Sequence, residues 1–289
     1  MPDIAPAEIA DSPLATRRRA LAVLCITDAR AKAAAARALH ADLLAHGGTV
    51  TDVDEVLVAD ASAAIPGRPA RPELVPPQQV DRRRSLHTLA GRAVMIHALC
   101  HIEFNAINLA LDAVWRFAGM PPAFYTDWLR VAREEAYHFG LLRQQLQHMP
   151  HTGQPWDYGD FPAHQGLWSM CERTADDIVA RMALVPRTME ARGLDATPLI
   201  QAKLRRIGTP DALEAVAVLD IILRDEVGHV AIGNHWYRWL CERQGLDPVA
   251  LYPELTRRHE APRMRPPFND EARRAAGFTE IEMEWLQNG

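Results

Sequence analysis

The 289 residues, 48% hydrophobic and 24% charged, suit one large domain or two small ones with a real core and exclude a disordered or fibrous chain. A net charge of −5 and a pI near 6.2 argue against a protein built around general nucleic-acid affinity. Four cysteines without CxxC spacing, Cys25, Cys100, Cys171 and Cys241, read as buried free thiols of a reducing compartment.

All basic residues but Lys32 and Lys203 are arginines, and they are scattered. The runs Arg17-Arg18-Arg19 and Arg82-Arg83-Arg84 therefore read as solvated helix termini, and no nucleic-acid partner is expected. No apolar run approaches the roughly 20 residues of a membrane span. Ala20 to Ile26, behind the first arginines, is too short for a signal peptide. The cytoplasm is the expected compartment, with no membrane partner.

In chain order, residues 13–46 predict a helix stopped by His46-Gly47-Gly48. Residues 47–83 carry Pro66, Pro69, Pro72, Pro76 and Pro77 and predict an extended arm that wraps the protein or covers its site. A long helix follows over Ser85 to Phe117, ended by Gly119 and Pro121-Pro122, then a second over Pro122 to Met149. Residues 150–164 form a turn-rich aromatic loop. A third helix is predicted over 165–192, kinked at Pro186 and capped by Gly193. The fourth runs from Asp211 to Arg243, with Gly245 as its cap. From 246 the tail holds short helical pieces between Pro262, Pro266 and Pro267. No period-2 pattern suggests a strand. The fold class is all-α, with residues 1–83 as an N-terminal helical and extended region, 84–245 as a four-helix bundle, and 246–289 as a tail.

Helical phase then exposes polar residues on apolar faces. Glu103 shares a stripe with Ile96, Ile107, Ala110 and Val114. Glu135 falls in line with Trp128, Val131, Phe139 and Leu142, with His138 one turn on. Glu190 aligns with Trp168, Ala175, Val179, Met182 and Ala183. Glu226 and His229 share a stripe with Val218, Leu219, Ile222 and Val230. Buried carboxylates that cluster repel one another unless something compensates. No lysine or arginine shares these stripes. Two divalent ions would balance four glutamates and two neutral imidazoles. The order also repeats: Glu103 then Glu135-Ala-Tyr-His138, and Glu190 then Glu226-Val-Gly-His229. A glutamate from each of two helices plus Glu-x-x-His from two others is a known dimetal ligand set. A chain of this composition holds roughly one such spacing by chance, so phase, order and matched spacing carry the argument together.

Several rivals have plainer readings. Glu134 points to solvent, Glu172 lies too far along the axis from Glu190, and Asp176 is a lesser alternative to Glu190. His97 and His101 form an HxxxH pair that could hold zinc, but without a third ligand they read as packing or orienting groups. Asp225 either orients a ligand histidine or sits at the surface. Tyr137 points away from the His138 stripe. Tyr158, Asp160 and His164 line a substrate entrance or simply pack the loop.

The runs His101-Ile-Glu-Phe-Asn-Ala-Ile, Arg133-Glu-Glu-Ala-Tyr-His-Phe, Tyr158-Gly-Asp-Phe-Pro-Ala-His, Val185-Pro-Arg-Thr-Met-Glu-Ala-Arg-Gly-Leu-Asp and Asp225-Glu-Val-Gly-His-Val carry a resemblance. Over nearly all its length the chain resembles the ferritin-like bacterial family known as domain of unknown function 455. That resemblance implies a ferritin-like four-helix bundle with a dimetal site. It implies no activity, because the wider group spans a tRNA hydroxylase, ribonucleotide reductase small subunits and iron-storage shells.

A mixed Glu/His set suits iron, manganese or a mixed Fe/Mn pair better than structural zinc. The reading that follows is an oxidoreductase, a hydroxylase or oxidase that activates O₂ or peroxide. Its metal ligands are Glu103, Glu135, His138, Glu190, Glu226 and His229, with iron first among the metals. A small-molecule substrate, an electron donor and a homodimer are the partners considered, and no catalytic residue beyond the ligands is assigned. The alternative is a ferroxidase, an iron-handling protein or a non-catalytic metal-binding scaffold.

Overall fold

The computed structural model describes residues 15–80 and 85–288. The run Arg82-Arg83-Arg84 and the first residues of the helix predicted over 13–46 lie outside them. Among the described residues every regular element is helical: α1 (Thr16–Leu24), α2 (Ala29–Ala45), α3 (Leu89–Arg116), α4 (Pro122–His148), α5 (Gly166–Arg173), α6 (Ile178–Leu184), a π-helical turn (Val185–Glu190), α7 (Ala191–Ile207), α8 (Pro210–Gln244), α9 (Pro248–Arg258), α10 (Asp270–Ala275) and α11 (Glu280–Asn288). A single parallel bridge, Leu74 to Ala163, is the extent of β pairing there.

The chain divides into two compact units. Residues 15–76, 97–147 and 156–164 make the first, and 77–80, 85–96, 148–155 and 165–288 make the second. In the first unit α3 and α4 form a hairpin turned by Gly119, whose φ of 73° a side chain would strain. Buried Phe104, Ile107, Leu111 and Val114 of α3 and Phe124, Trp128, Phe139 and Leu142 of α4 supply its core. Each such side chain contributes about 1.5–3 kcal/mol by leaving water. The long α3 also corrects the membrane reading. Its length and an 18-residue window of mean hydropathy 1.4 would suffice for a span, yet 72% of that window is buried within the protein. It serves as a core helix.

The predicted 13–46 helix is two helices. The chain breaks at Cys25 to Thr27, and Asp28 restarts it by accepting a hydrogen bond from the Ala31 amide at 2.7 Å. The break makes room for the arm. Gly67 lies so close to it that a Cβ there would stand 2.1 Å from the Cys25 carbonyl oxygen. Residues 47–80 hold no helix, as their prolines predict.

The arginines at the head of α1 need a second correction. Arg17 is fully buried. It donates to the carbonyls of Asp52, Val53, Glu55, Val114 and Trp115, tying the arm to the end of α3. Arg18 and Arg19 instead pair with Glu55 and Asp42 near the surface.

In the second unit, the third predicted helix departs most from expectation. Asp177 starts a new helix by capping the Ala180 amide, so α5 and α6 are separate. Pro186 does not kink an α-helix. It lies in a π turn, where one inserted residue absorbs the missing N–H and the ring's clash with the preceding turn. Gly193 does not cap. The helix continues as α7 to Ile207, where Gly208 adopts a φ of 69°. The fourth helix and its Gly245 cap match expectation. Ala191, Leu194, Val230, Ala272, Ala276, Phe278, Met283 and Leu286 gather α7, α8, α10 and α11 into one core.

Arg17→Ala should cost about 2–4 kcal/mol, because it strands several buried carbonyls. Arg18→Ala should cost under about 1 kcal/mol, as half-exposed ion pairs do. Urea unfolding of both variants checks this, and equal losses would contradict the anchoring role.

Candidate metal centre

Glu103 lies on the inward stripe of α3. Glu135 and His138, three apart on α4, stack on that helix's inward face. All three are buried, with 4%, 0% and 0% of their surface exposed. Their ligand atoms lie within 4.8 Å of one another. His138 Nδ1 stands 3.4 Å from Glu103 Oε2 and 3.5 Å from Glu135 Oε2. Those spacings exceed a good hydrogen bond. They resemble instead the edge between donors that each sit about 2.1 Å from one shared ion, about 3–3.5 Å. Two carboxylates and an imidazole are thus gathered with the donor chemistry and separation that a divalent ion requires.

Electrostatics agree. Burial, then the neighbouring Glu135 carboxylate, pushes the Glu103 carboxyl well above the usual range, with His138 only partly opposing. Burial alone would lower His138, but the polar contact and negative charge of the facing Glu103 and Glu135 carboxylates outweigh it and raise it. Without metal the cluster therefore holds protons. This raised imidazole stabilises the fold fully below its unfolded value, near 6.5, and that contribution is lost as pH rises through the folded value.

In the second unit the same spacing recurs. Glu226 and His229 of α8 are buried, and His229 Nδ1 stands 3.7 Å from Glu226 Oε2. Glu190 ends the π turn that packs on α8 and is 8% exposed. No group of three donors comparable to the first forms wholly within this unit among the described residues. The structure thus closes Glu103, Glu135 and His138 into a triad and Glu226 and His229 into a pair, and it buries Glu190 at the end of the π turn. Its rivals Asp176 and Glu172 are exposed, and Glu172 accepts from Trp168 Nε1 at 2.8 Å.

The HxxxH pair is packing. His97 Nε2 accepts from the Gly159 amide at 2.9 Å, and His101 Nδ1 lies 2.9 Å from the Tyr158 hydroxyl. Both rings stack on Tyr158, and burial first of all lowers them to about 4 and about 3. Asp160 accepts from the Asp157 amide and so shapes the loop. Asp225 pairs with Arg224, half-buried Glu134 with Arg133, and Tyr137 is exposed. An open cleft of about 320 Å³, lined by His235, Arg238, Trp239 and Glu242 among others, includes none of the six expected ligands.

Lys32 was missed in the sequence reading. It is buried on α2, donates to Gly67 O and Asn108 Oδ1 at 2.6 Å each, and is lowered by burial to about 7. Its phase with Ala29, Ala33, Ala36 and Leu39 carried the same wrong-face signal as the glutamates.

Metal binding near neutral pH should expel the proton that His138 holds and should weaken as pH falls. Calorimetry with Mn²⁺ in buffers of different ionisation enthalpy should give buffer-dependent heats. Identical heats in all buffers would contradict a protonated cluster.

The profile of the family described as Protein of unknown function (DUF455) matches residues 25–284. A protein of Haemophilus influenzae, described only as uncharacterized, is 48% identical over 242 residues, covering 81% of this chain and 80% of that protein. No solved structure matches the chain.

Proposed function

This chain belongs to the DUF455 family, and we propose from its own residues that it is a dimetal carboxylate protein. Glu103, Glu135 and His138 would hold one share of the metal, and Glu190, Glu226 and His229 the other, about two ions in all. The convergence of two buried carboxylates on His138 carries this reading. Support also comes from the repeated Glu-x-x-His spacing on α4 and α8 and from the absence of strands among the described residues. A ferritin-like four-helix bundle over 84–245 is the architecture proposed.

We infer an oxidoreductase that acts in the cytoplasm on a small-molecule substrate, with iron as the first metal and manganese or a mixed pair next. When bound, such ions supply O₂ or peroxide activation at coordination positions the protein leaves open. The chain's own part is to bind, orient and exclude water. Glu103 and Glu135 neutralise the ions, and His138 offers its Nδ1. Phe104 and Phe139, with ring centres 5.9 Å apart, help keep the surroundings dry.

Protein produced with iron or manganese should carry about two metal ions per chain by elemental analysis. Glu135→Ala and Glu226→Ala should each remove at least one. Full occupancy in both variants would show that these are the wrong ligands.

The catalytic and storage readings part on capacity. Added Fe²⁺ should be oxidised with O₂ uptake and stop at about two irons per chain. Continued uptake into a mineral inside a large hollow oligomer would instead make this an iron-storage protein.

A further inference from the structure

The π turn that ends in Glu190 is gripped from three sides within the second unit. Thr188 donates to Ala183 O at 2.8 Å and shares a 2.6 Å hydrogen bond with the Tyr252 hydroxyl of α9. Gly233 of α8 lets Pro186 approach so closely that a Cβ there would meet the proline ring at 2.5 Å. The strongest hold is on Arg187. Its guanidinium donates to Glu282 of α11 at 2.8 Å and to Asn234 of α8 at 2.9 Å. It lies 5.2, 5.0 and 4.8 Å from the ring centres of Tyr237, Tyr252 and Phe278. Both charges are buried, with 3% of each side chain exposed. Glu282 also accepts from Arg238 and from the Thr279 amide, at 2.8 and 2.7 Å.

A buried ion pair is a poor way to gain stability, because desolvation consumes most of the attraction. What it confers is a fixed geometry for the backbone that carries it. A π turn needs such help, since the inserted residue makes it weaker than the α-helix to which it can relax. Removing the insertion would shift register by one residue and swing Glu190 by about 100° around the helix axis.

We propose that Glu282 of α11, acting through Arg187, is a positioning residue that holds the π turn and thereby aims Glu190 as a metal ligand. The proposal rests on the dimetal reading above. The C-terminal segment is then part of the metal site's construction, although it supplies no ligand.

The test is Co²⁺ titration of the full chain, followed by visible absorption and affinity. Three variants are compared with the parent: Glu282→Ala, Glu282→Gln and Glu190→Ala. Glu282→Ala should keep its helical circular dichroism, lose about tenfold or more in affinity for one ion, and alter that ion's absorption bands as Glu190→Ala does. Glu282→Gln, which keeps the side chain's size and one acceptor oxygen for Arg187 but turns an NH₂ toward Arg238 and the Thr279 amide, should recover part of the parent's spectrum. Should Glu282→Ala fail to fold, Arg187→Lys takes its place, since it keeps the charge but loses the planar fork, and the same loss is expected. A folded Glu282→Ala or Arg187→Lys with the parent's affinity and spectrum would overturn the positioning role. If Glu190→Ala alone lost an ion, the dimetal reading would stand and only this inference would fall. A parent that binds no Co²⁺ would overturn both.

Discussion

Everything in the first unit answers to one constraint: two carboxylates and an imidazole share a dry space between α3 and α4. Glu103 and Glu135 repel each other there, and burial has removed the water that would screen them. Such a cluster persists only with a compensating cation, whether protons on its own members or a metal ion. The apolar character of α3 follows from the same requirement, for a helix that carries Glu103 into the core must surround it with side chains that compete for nothing. That is why α3 has the hydropathy of a membrane helix while most of that window is buried in protein.

The unit's buried cations do not relieve this charge, because they are committed elsewhere. Arg17 distributes its donors over backbone carbonyls of the arm and of α3. Lys32 gives its protons to Gly67 and Asn108, with its ammonium 5.1 Å above the Phe104 ring. Both fasten residues 47–80, a segment with no helix of its own to satisfy its carbonyls. The division of labour is chemical: cations hold the arm, and carboxylates are left to hold something else.

How much of this was legible depended on whether 3.6 residues per turn held between landmarks. Along α3, α4 and α8 it holds without interruption, so Glu103, Glu135, His138, Glu226 and His229 could all be placed inside from phase alone. Glu190 is buried as well, but the phase that selected it ran across the break at Thr174 to Asp177 and across the π turn, where the count changes. Its burial is owed to that turn and not to alignment with Trp168. Arg17 and Lys32 were obscured for another reason. A charge run and an alanine-rich helix both suggest a solvated surface by composition, and only their phase against neighbouring apolar residues marks them as interior. The ion pair of Arg187 with Glu282 spans 95 positions and left no local signal at all.

The two sets of donors also differ in how their backbones are secured. Glu103, Glu135 and His138 stand on regular helices, where each turn's hydrogen bonds hold the next and a side chain cannot rotate without unwinding several residues. Glu190 ends a turn whose geometry is not self-sustaining and which Tyr252, Gly233 and Glu282 fasten from outside through Thr188, Pro186 and Arg187. A side chain on a regular helix is positioned by local sequence. One at the end of a π turn is positioned by whatever grips that turn, here α8, α9 and α11. The tail therefore carries a structural duty that its distance along the chain conceals. Truncating it would strip the support from Glu190 while leaving the α3–α4 triad's own helices intact, so the two sets of donors need not fail together.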